Sequence, residues 1–398
     1  MKVLQVVPGM SPAFGGPSVA LADLGRALAG RGIETSLFTT NVDPAGRLEI
    51  PVNVPVSQAG ASIVYHDVWP SGRYSFSLPL ARALRQNIPS FDVIHVHWLY
   101  NFSSLASAVL ARRAGVPYVL QFNGSLDPHL MRKNTAVKRA YWRLAGRFIV
   151  DNAAALIFTS EAERRQAAFG PLRPPSFIVP VGLHWGDYVT LPPRGEFRRR
   201  FPAIPNGPMV LFLGRISPQK GLDLLVPAFR TVLDRYPNAH LVLAGPDGEG
   251  HGGHVRKWLS EYRIEDHVTM LGRVPDDAKL ALYVDCDVFV LPSYAENFGA
   301  TVTEALACKR PIVISDRVNI CDEISAADAG IVVPCSPDAV ADGICQVLGD
   351  PAGAEGLASR GRDLVRRRYT WDAALEALLP VYEAAIQTRV RHRQAVCP

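Results

Sequence analysis

Leu211-Phe212-Leu213-Gly214-Arg215-Ile216-Ser217-Pro218-Gln219-Lys220-Gly221 reads as an apolar strand, a short polar loop and the start of a helix. Gly214 permits a tight turn where the strand ends. Arg215 and Lys220 bracket the loop, so both cations can point at one anion above a helix N-terminus. An oxyanion there gains from the helix dipole, from backbone N–H groups and from charge-assisted hydrogen bonds. Strand–loop–helix units of this kind build parallel sheets covered by helices, and the alternation runs along the chain. Before the segment, apolar runs fall at 3–7, 33–38, 63–65, 93–96, 118–121, 156–159 and 177–179. From it onward they fall at 209–213, 240–244, 268–271, 288–291, 312–314 and 331–333. Helical patterns between them include 18–29, 105–114, 222–234, 255–262 and 301–307.

Pro and Gly concentrate at 191–208, and a strong strand follows at once. With 398 residues the chain has room for two cores. The expected division is an N-terminal domain at 1–194, a linker at 195–207 and a C-terminal domain at 208–370. Residues 371–398 form a closing helical segment able to pack back on the N-terminal domain. Leu375, Leu378, Leu379, Tyr382 and Ile386 supply its apolar stripe, and Pro380 predicts a kink. Doubly wound sheets place ligand crevices at the carboxyl ends of their strands. Two such domains facing each other would join their crevices in one cleft.

A second segment carries chemistry: Pro292-Ser293-Tyr294-Ala295-Glu296-Asn297-Phe298-Gly299, continuing through Ala300-Thr301-Val302-Thr303-Glu304. Carboxylates accept paired hydrogen bonds from vicinal diols, so Glu296 suits sugar hydroxyls and Glu304 a ribose. Gly299 begins a helix whose first N–H groups suit phosphate. The apolar run around Glu304 demands partners for its carboxylate.

Hydrophobic residues at 48% and charged residues at 20% describe an ordinary globular protein. Residues 1–195 hold 19 Lys+Arg against 11 Asp+Glu, a balance of +8. Residues 196–398 hold 23 against 26, a balance of −3. A basic first half suggests an anionic partner. All six cysteines, Cys286, Cys308, Cys321, Cys335, Cys345 and Cys397, fall in the second half without a C-x-x-C pair. Reduced thiols and a cytoplasmic location follow more simply than a disulfide framework. The five-residue apolar run after Met1-Lys2 is too short for a signal core, and no stretch reaches the roughly 18 apolar residues of a membrane span.

Gly-Arg-x4-Lys-Gly at 214–221 followed by Glu-x7-Glu at 296–304 resembles the retaining family 4 of GT-B-fold glycosyltransferases, the glycosyl transferases group 1. The similarity extends over nearly the whole chain. Gly15-Gly16-Pro17 resembles the family's glycine-rich first loop, and Phe91-Asp92-Val93-Ile94-His95-Val96-His97 its D-x-x-H-x-H strand. Thr159-Ser160-Glu161-Ala162-Glu163 and Val179-Pro180-Val181-Gly182 resemble later landmarks. The resemblance implies an α/β fold of GT-B architecture, with two facing doubly wound Rossmann-like domains and an interdomain cleft. It implies that Arg215 and Lys220 hold a donor diphosphate beside Gly214, Glu296 the transferred sugar and Glu304 the ribose. Asn297, Phe298 and Gly299 would touch sugar and phosphate through their backbone, while Arg273 and Val274 would border the base. His97 would sit near the anomeric centre, with Gly15 and Gly16 closing over phosphate. Glu296, Arg215, Lys220 and His97 form the expected catalytic set.

Two positions depart from the family pattern. Lys309 stands where the family usually has Gly, and a left-handed backbone there costs on the order of 1 kcal/mol. Asn123 and Gly124, after Phe122, replace a frequent histidine pair and mark a different acceptor side. Asp285-Cys286-Asp287 has the letters of a metal-binding Asp-x-Asp but joins a helix to a buried strand, so it reads as structural. No metal or other cofactor is expected, because the Arg–Lys pair supplies the positive charge.

Between Met131 and Phe148 lie Arg132, Lys133, Lys138, Arg139, Arg143 and Arg147, interleaved with Tyr141, Trp142, Leu144 and Phe148. A basic helix with aromatic anchors suits an anionic membrane surface, here the inner leaflet. A nucleic acid fits poorly, because the aromatics occupy one helix rather than a stacking platform. The expected activity is retaining transfer of a hexosyl unit from a UDP- or GDP-sugar to an acceptor hydroxyl. The acceptor would be a lipid-linked or growing bacterial glycan. The alternatives are a sugar-nucleotide epimerase of the same fold and a non-catalytic nucleotide-sugar-binding scaffold. A dinucleotide oxidoreductase would need G-x-G-x-x-G after a strand, which Gly9 and Gly15-Gly16 do not provide.

Overall fold

The computed structural model describes residues 1–58, 61–69, 74–132, 134–167, 172–248 and 250–396. Its contacts divide into two units, Met1–Gly182 with Trp371–Pro398, and Leu183–Thr370.

The first unit contains β1 (Lys2–Val6), β2 (Glu34–Thr40), β3 (Val42–Asp43), β4 (Gly46–Arg47), β5 (Pro55–Gln58) and β6 (Ala61–His66). It continues with β7 (Val93–His97), β8 (Tyr118–Gln121), β9 (Ala155–Phe158) and β10 (Ser176–Ile178). Eight of these form one sheet in the order β10-β9-β8-β7-β1-β2-β6-β5, while β3 and β4 make a small antiparallel ribbon. Neighbours in the large sheet are parallel except β5, which runs against β6 at the edge. Strand β7 is buried along its whole length, which explains its continuous apolar and histidine run.

The helix Trp371–Val396 belongs to this unit. Trp371, Leu375, Leu378 and Tyr382 pack against Val3, Val93, Val119 and Ile157 from four strands. Each fully buried side chain of this size stabilises by about 1.5–3 kcal/mol. The helix continues through Pro380 as one element.

The second unit contains β11 (Met209–Leu213), β12 (His240–Ala244), β13 (Val268–Gly272), β14 (Val288–Leu291), β15 (Ile312–Ser315) and β16 (Ile331–Val333). All pair in parallel, in the order β13-β12-β11-β14-β15-β16. The boundary falls at Gly182–Leu183, earlier than the expected 194. The expected linker at 195–207 is built into this unit instead. It contains the helix Glu196–Arg200, whose Phe197 is fully buried and stacks on Phe201 at 4.3 Å. The buried Asp285 carboxylate accepts from the N–H groups of Gly195 at 2.5 Å and Arg198 at 2.9 Å. Asp287 accepts from the N–H of Met209 at 2.7 Å and pairs with Arg194. The Asp285-Cys286-Asp287 segment thus ties the expected linker to the sheet.

In each sheet the direction of chain progression reverses beside the first strand, between β1 and β7 and between β11 and β14. The loops leaving those strand pairs border the place where open α/β sheets bind ligands. In the second unit their approach is set by Gly221, which has φ +68°; a Cβ on it would lie 2.1 Å from the Pro292 carbonyl oxygen. Gly221→Ala should lower stability by more than about 1 kcal/mol, from the left-handed backbone alone, with the steric contact adding to it. Urea denaturation checks this, and a variant as stable as the parent would show that the two loops can part freely.

Candidate active site

Glu296 and Lys220 meet where the crevice opens. The chain after β14 returns Glu296 to the segment following β15: its N–H donates to the Arg317 carbonyl at 3.1 Å, and its carbonyl accepts from the Asn319 N–H at 3.0 Å. This fixes the backbone, and the carboxylate forms an ion pair with Lys220. The two side chains are only 14% and 17% exposed, so each charge neutralises the other in a partly dehydrated place. Gln219 laces the same loops together, its Nε2 donating to the Ala295 carbonyl at 2.6 Å and its carbonyl accepting from the Tyr294 N–H at 2.9 Å. Arg215 is exposed on the loop after β11. Gly214 donates to the Ala244 carbonyl at 2.9 Å, and Gly245 to the Gly272 carbonyl at 2.7 Å, which aligns three strand ends.

Gly299 caps the helix Ala300–Ala307 with φ +79°, a conformation suited to glycine. Phe298 is buried edge-on against Tyr369 at 5.5 Å, and Asn297 is half-buried. Glu304, one turn further, has both oxygens engaged: Lys279 Nζ lies 2.6 Å from Oε1, and the Tyr283 hydroxyl donates to Oε2 at 2.7 Å. Burial, with the adjacent carboxylate, holds the Tyr283 phenol well above its ordinary range, so it remains a donor. Lys279 and Tyr283 stand four residues apart on the helix Asp276–Asp285, whose N-terminal approach carries exposed Arg273 and half-buried Val274. The sequence demanded partners for Glu304; which residues meet it depends on packing between two helices. Lys309 does adopt the left-handed backbone, φ +56°, and pairs with Glu355 at 2.9 Å.

The first unit gathers neutral polar groups at its own reversal. His97 ends β7 fully enclosed, its ring stacked on His95 at 4.1 Å. Asn123 Nδ2 donates to His97 Nδ1 at 3.3 Å, while Gln121 Nε2 donates to Asn123 Oδ1 at 2.9 Å. With Nδ1 accepting, the His97 proton resides on Nε2. Trp98 follows with φ +60° and Asn123 has φ +49°, conformations that bulky or ordinary residues hold only when their surroundings impose them. Gly124 donates to the Glu163 carboxylate at 2.5 Å, and Thr159 adds its N–H at 2.6 Å and hydroxyl at 2.9 Å. Burial raises the Glu163 pKa while these donors oppose the rise. Ser160 caps the helix bearing Glu163, a local S-x-x-E signal that leaves the remote partner Gly124 unstated. Gly15, with φ +74°, joins a single 3-10 turn to the helix Gly16–Gly30; a Cβ on Gly16 would meet open space.

The basic segment forms the helices Pro128–Arg132 and Thr135–Tyr141, a π turn at Trp142–Gly146 and the helix Arg147–Asp151. Lys133 lies outside the described residues. Arg132, Arg139, Arg143 and Arg147 are exposed, whereas Lys138 lies over the Tyr100 ring at 5.7 Å. The aromatics are not surface anchors. Tyr141, Trp142 and Phe148 pack against the core, and the Tyr141 hydroxyl donates to the carbonyls of Leu99 and Asn101, both at 3.1 Å. The π turn inserts an extra residue into the helical period, so spacing in the sequence misplaces its faces. Among the described residues of the segment, Val137 and Leu144, 70% and 85% exposed, are the large apolar side chains that point outward.

Residues 193–364 match the family model for glycosyl transferases group 1, and 15–182 match a glycosyl transferase 4-like domain. A D-inositol 3-phosphate glycosyltransferase from Kineococcus radiotolerans is 29% identical, covering 98% of this chain and 94% of its own. Sucrose-phosphate synthase from Thermosynechococcus elongatus superposes with a TM-score of 0.75 at 24% identity, covering 100% of this chain and 99% of that one. HepE from Anabaena, solved with UDP and glucose, gives 0.76 at 18% identity, covering 96% and 100%. The fold is that of the GT-B glycosyltransferases. The chain belongs to the glycosyl transferases of group 1.

Burial holds His95 down at about 3 and His97 well below the ordinary 6.5, so both are neutral at pH 7. The unfolded chain takes up a proton on each near pH 6.5 while the folded chain does not. Their contribution is therefore fully present above pH 6.5 and lost as pH falls towards 3. Between pH 6.5 and 5, His95 alone should remove about 2 kcal/mol. Urea titrations at both pH values should show a loss smaller by that amount in His95→Gln; equal losses would contradict the assignment.

Proposed function

We propose that this glycosyltransferase moves a hexosyl unit from a UDP- or GDP-sugar to an acceptor hydroxyl, with retention at the anomeric carbon. The pairing of Lys220 with Glu296 at the β11/β14 reversal carries this reading. A nucleoside diphosphate sugar offers a partner to each member: the diphosphate for Lys220 and Arg215, the sugar hydroxyls for Glu296. The ribose diol goes to Glu304, the base beside Arg273 and Val274, and the phosphate near Gly214 and the backbone of Asn297, Phe298 and Gly299. In this reading Gly15 and Gly16 serve the phosphate, His97 the anomeric centre, and Asn123 and Gly124 the acceptor.

In the reaction the bond between C1 and the β-phosphate oxygen breaks while the acceptor oxygen bonds to C1 on the same face. The departing diphosphate takes the acceptor proton. Its negative charge grows as the bond breaks, so Lys220 and Arg215 stabilise the transition state more than the bound donor. These cations meet the charge, and no metal is required.

A thermal-shift panel of UDP, GDP, ADP and their hexose conjugates, with and without EDTA, tests the reading; UDP-glucose leads because a structure of HepE holds it. A nucleotide at about 100 times its Kd should add roughly 2.7 kcal/mol. Stabilisation of the parent but not of Lys220→Ala, insensitive to EDTA, is expected. Absence of binding by every nucleotide would leave a scaffold without a donor site. For transfer itself, Lys220→Ala should lower kcat by about 10²–10³-fold.

The second element of the proposal is a lipid-linked acceptor met at the inner leaflet of a membrane. Residues 128–150 contain no Asp or Glu, and four exposed arginines flank Val137 and Leu144. Among the described residues no helix is long and apolar enough to cross a membrane. Flotation should show binding to anionic but not neutral vesicles, weakened by salt and abolished in Arg139→Glu/Arg143→Glu/Leu144→Asp. Equal absence from both kinds of vesicle removes this element and leaves the donor reading untouched.

A further inference from the structure

A polar stripe runs through the core of the first unit, beneath the last helix. Gln5 stands opposite His95 in the β1/β7 pairing, and His97 opposite Gln121 in the β7/β8 pairing. Residues two apart on a strand share a face, so these four side chains extend the rows begun by Val3, Val93 and Val119. That face is covered by Trp371–Val396. Gln5 and His95 are fully buried, and His97 and Gln121 nearly so. A hydrophobic helix therefore lies over a row of amides and imidazoles.

One group of the helix answers them. The Tyr382 hydroxyl lies 2.7 Å from His95 Nδ1, and the two rings meet edge to face at 5.7 Å. A phenol is the stronger donor and a neutral imidazole the stronger acceptor, so the hydroxyl proton points to Nδ1 and the His95 proton resides on Nε2. His97 has the same tautomer, because Asn123 donates to its Nδ1. Within ordinary hydrogen-bond distance and angle both Nε2–H groups, and both amide atoms of Gln5, lack a partner among the described residues, and the nearby Gln121 side chain only partly offsets the effect of burial on His95. Four such atoms on neighbouring buried side chains are far from the usual condition of protein interiors, where polar groups are satisfied by protein or by ordered water.

We propose that internal water bridges Gln5 to the Nε2–H groups of His95 and His97. Through that water and the His95–His97 ring stack, Gln5, His95 and Tyr382 act as positioning residues for His97. The Gln5 amide supplies one acceptor and two donors, and a water accepts two hydrogen bonds and donates two. The stripe can therefore be closed without an ion. Tyr382 fixes the proton of His95 at Nε2, and the stack and shared water then fix the plane of the His97 ring. The functional part of this inference rests on the role proposed above for His97; the buried arrangement does not.

The experiment uses the full chain labelled with 15N-histidine, with UDP-glucose as the probe. Imidazole correlation spectra should show both rings as Nε2–H tautomers, with cross-peaks from both Nε2 protons to water. Tyr382→Phe and Gln5→Leu should each displace the His97 nitrogen shifts, although Tyr382 bonds only His95. Unchanged His97 shifts in both variants, or Nδ1–H tautomers in the parent, overturn the proposal. Hydrolysis of UDP-glucose supplies the functional arm. Tyr382→Phe should lower kcat about 3–10-fold with KM unchanged, and should have no further effect in a His97→Ala background. Additive losses overturn the positioning role. If His97→Ala itself leaves turnover unchanged, the assignment of His97 fails instead, and the spectra alone decide the buried chain.

Discussion

The carbonyl of Pro292 stands where a side chain on Gly221 would begin. This close approach of two backbones sets the separation of the loops that leave β11 and β14. Those strands are neighbours although β12 and β13 come between them in the chain. Lys220 and Glu296 are 76 residues apart in sequence and come into contact because of it. Either charge alone, so little exposed, would cost much of its solvation; together they balance. Gln219 and the segment at Arg317–Asn319 hold the surrounding backbone, so the pair is kept in place by peptide groups as well as by attraction.

The first unit has the same reversal of strand order and a different chemistry. At the ends of β7 and β8 stand imidazoles and amides, neutral at pH 7, with the loop at Gly124 held by a buried carboxylate. The excess positive charge of residues 1–195 is not at these strand ends. Much of it belongs to the segment at 132–147, where Arg132, Arg139, Arg143 and Arg147 are exposed. Topology thus supplies the same strand reversal twice, with an ion pair at one and neutral imidazoles and amides at the other.

Strands in the interior of both sheets were legible because burial on two faces forces continuous apolar runs, as at β11, β12 and β14. The edge strand Pro55–Gln58 was not, since it is short, begins with Pro and carries polar residues. Glu296 and Lys220 could be named from their loops. Lys279, Tyr283, Gln219 and Glu163 could not, because each acts by reaching across the fold to a partner that no local period announces. The expected linker failed for a related reason. Its Pro and Gly residues do mark turns, yet Phe197 between them is a core residue, and Asp285 binds the backbone around it. Turn-forming composition says where the chain bends, not whether it is loose. The aromatics at 141–148 were misplaced because a π turn breaks the period on which a helical face is inferred.

The second unit is, in chain order, an insertion into the first. The chain enters at Leu183 and leaves at Thr370, and these residues form a parallel bridge, with the Leu183 N–H donating to the Tyr369 carbonyl at 2.9 Å. Just outside that bridge, a Cβ on Gly182 would lie 2.7 Å from the backbone of Trp371. The two pieces of the first unit are therefore in contact at the point where the insertion begins and ends. What the returning piece contributes is nearly half of an apolar cluster, from Trp371 to Ala385, together with the hydroxyl that meets His95. The face of the sheet bearing His95 and His97 would otherwise be open to water, and neither imidazole would be held neutral by burial. The protonation state of the histidines at the β7 end is thus set by a helix that follows the inserted unit in the chain.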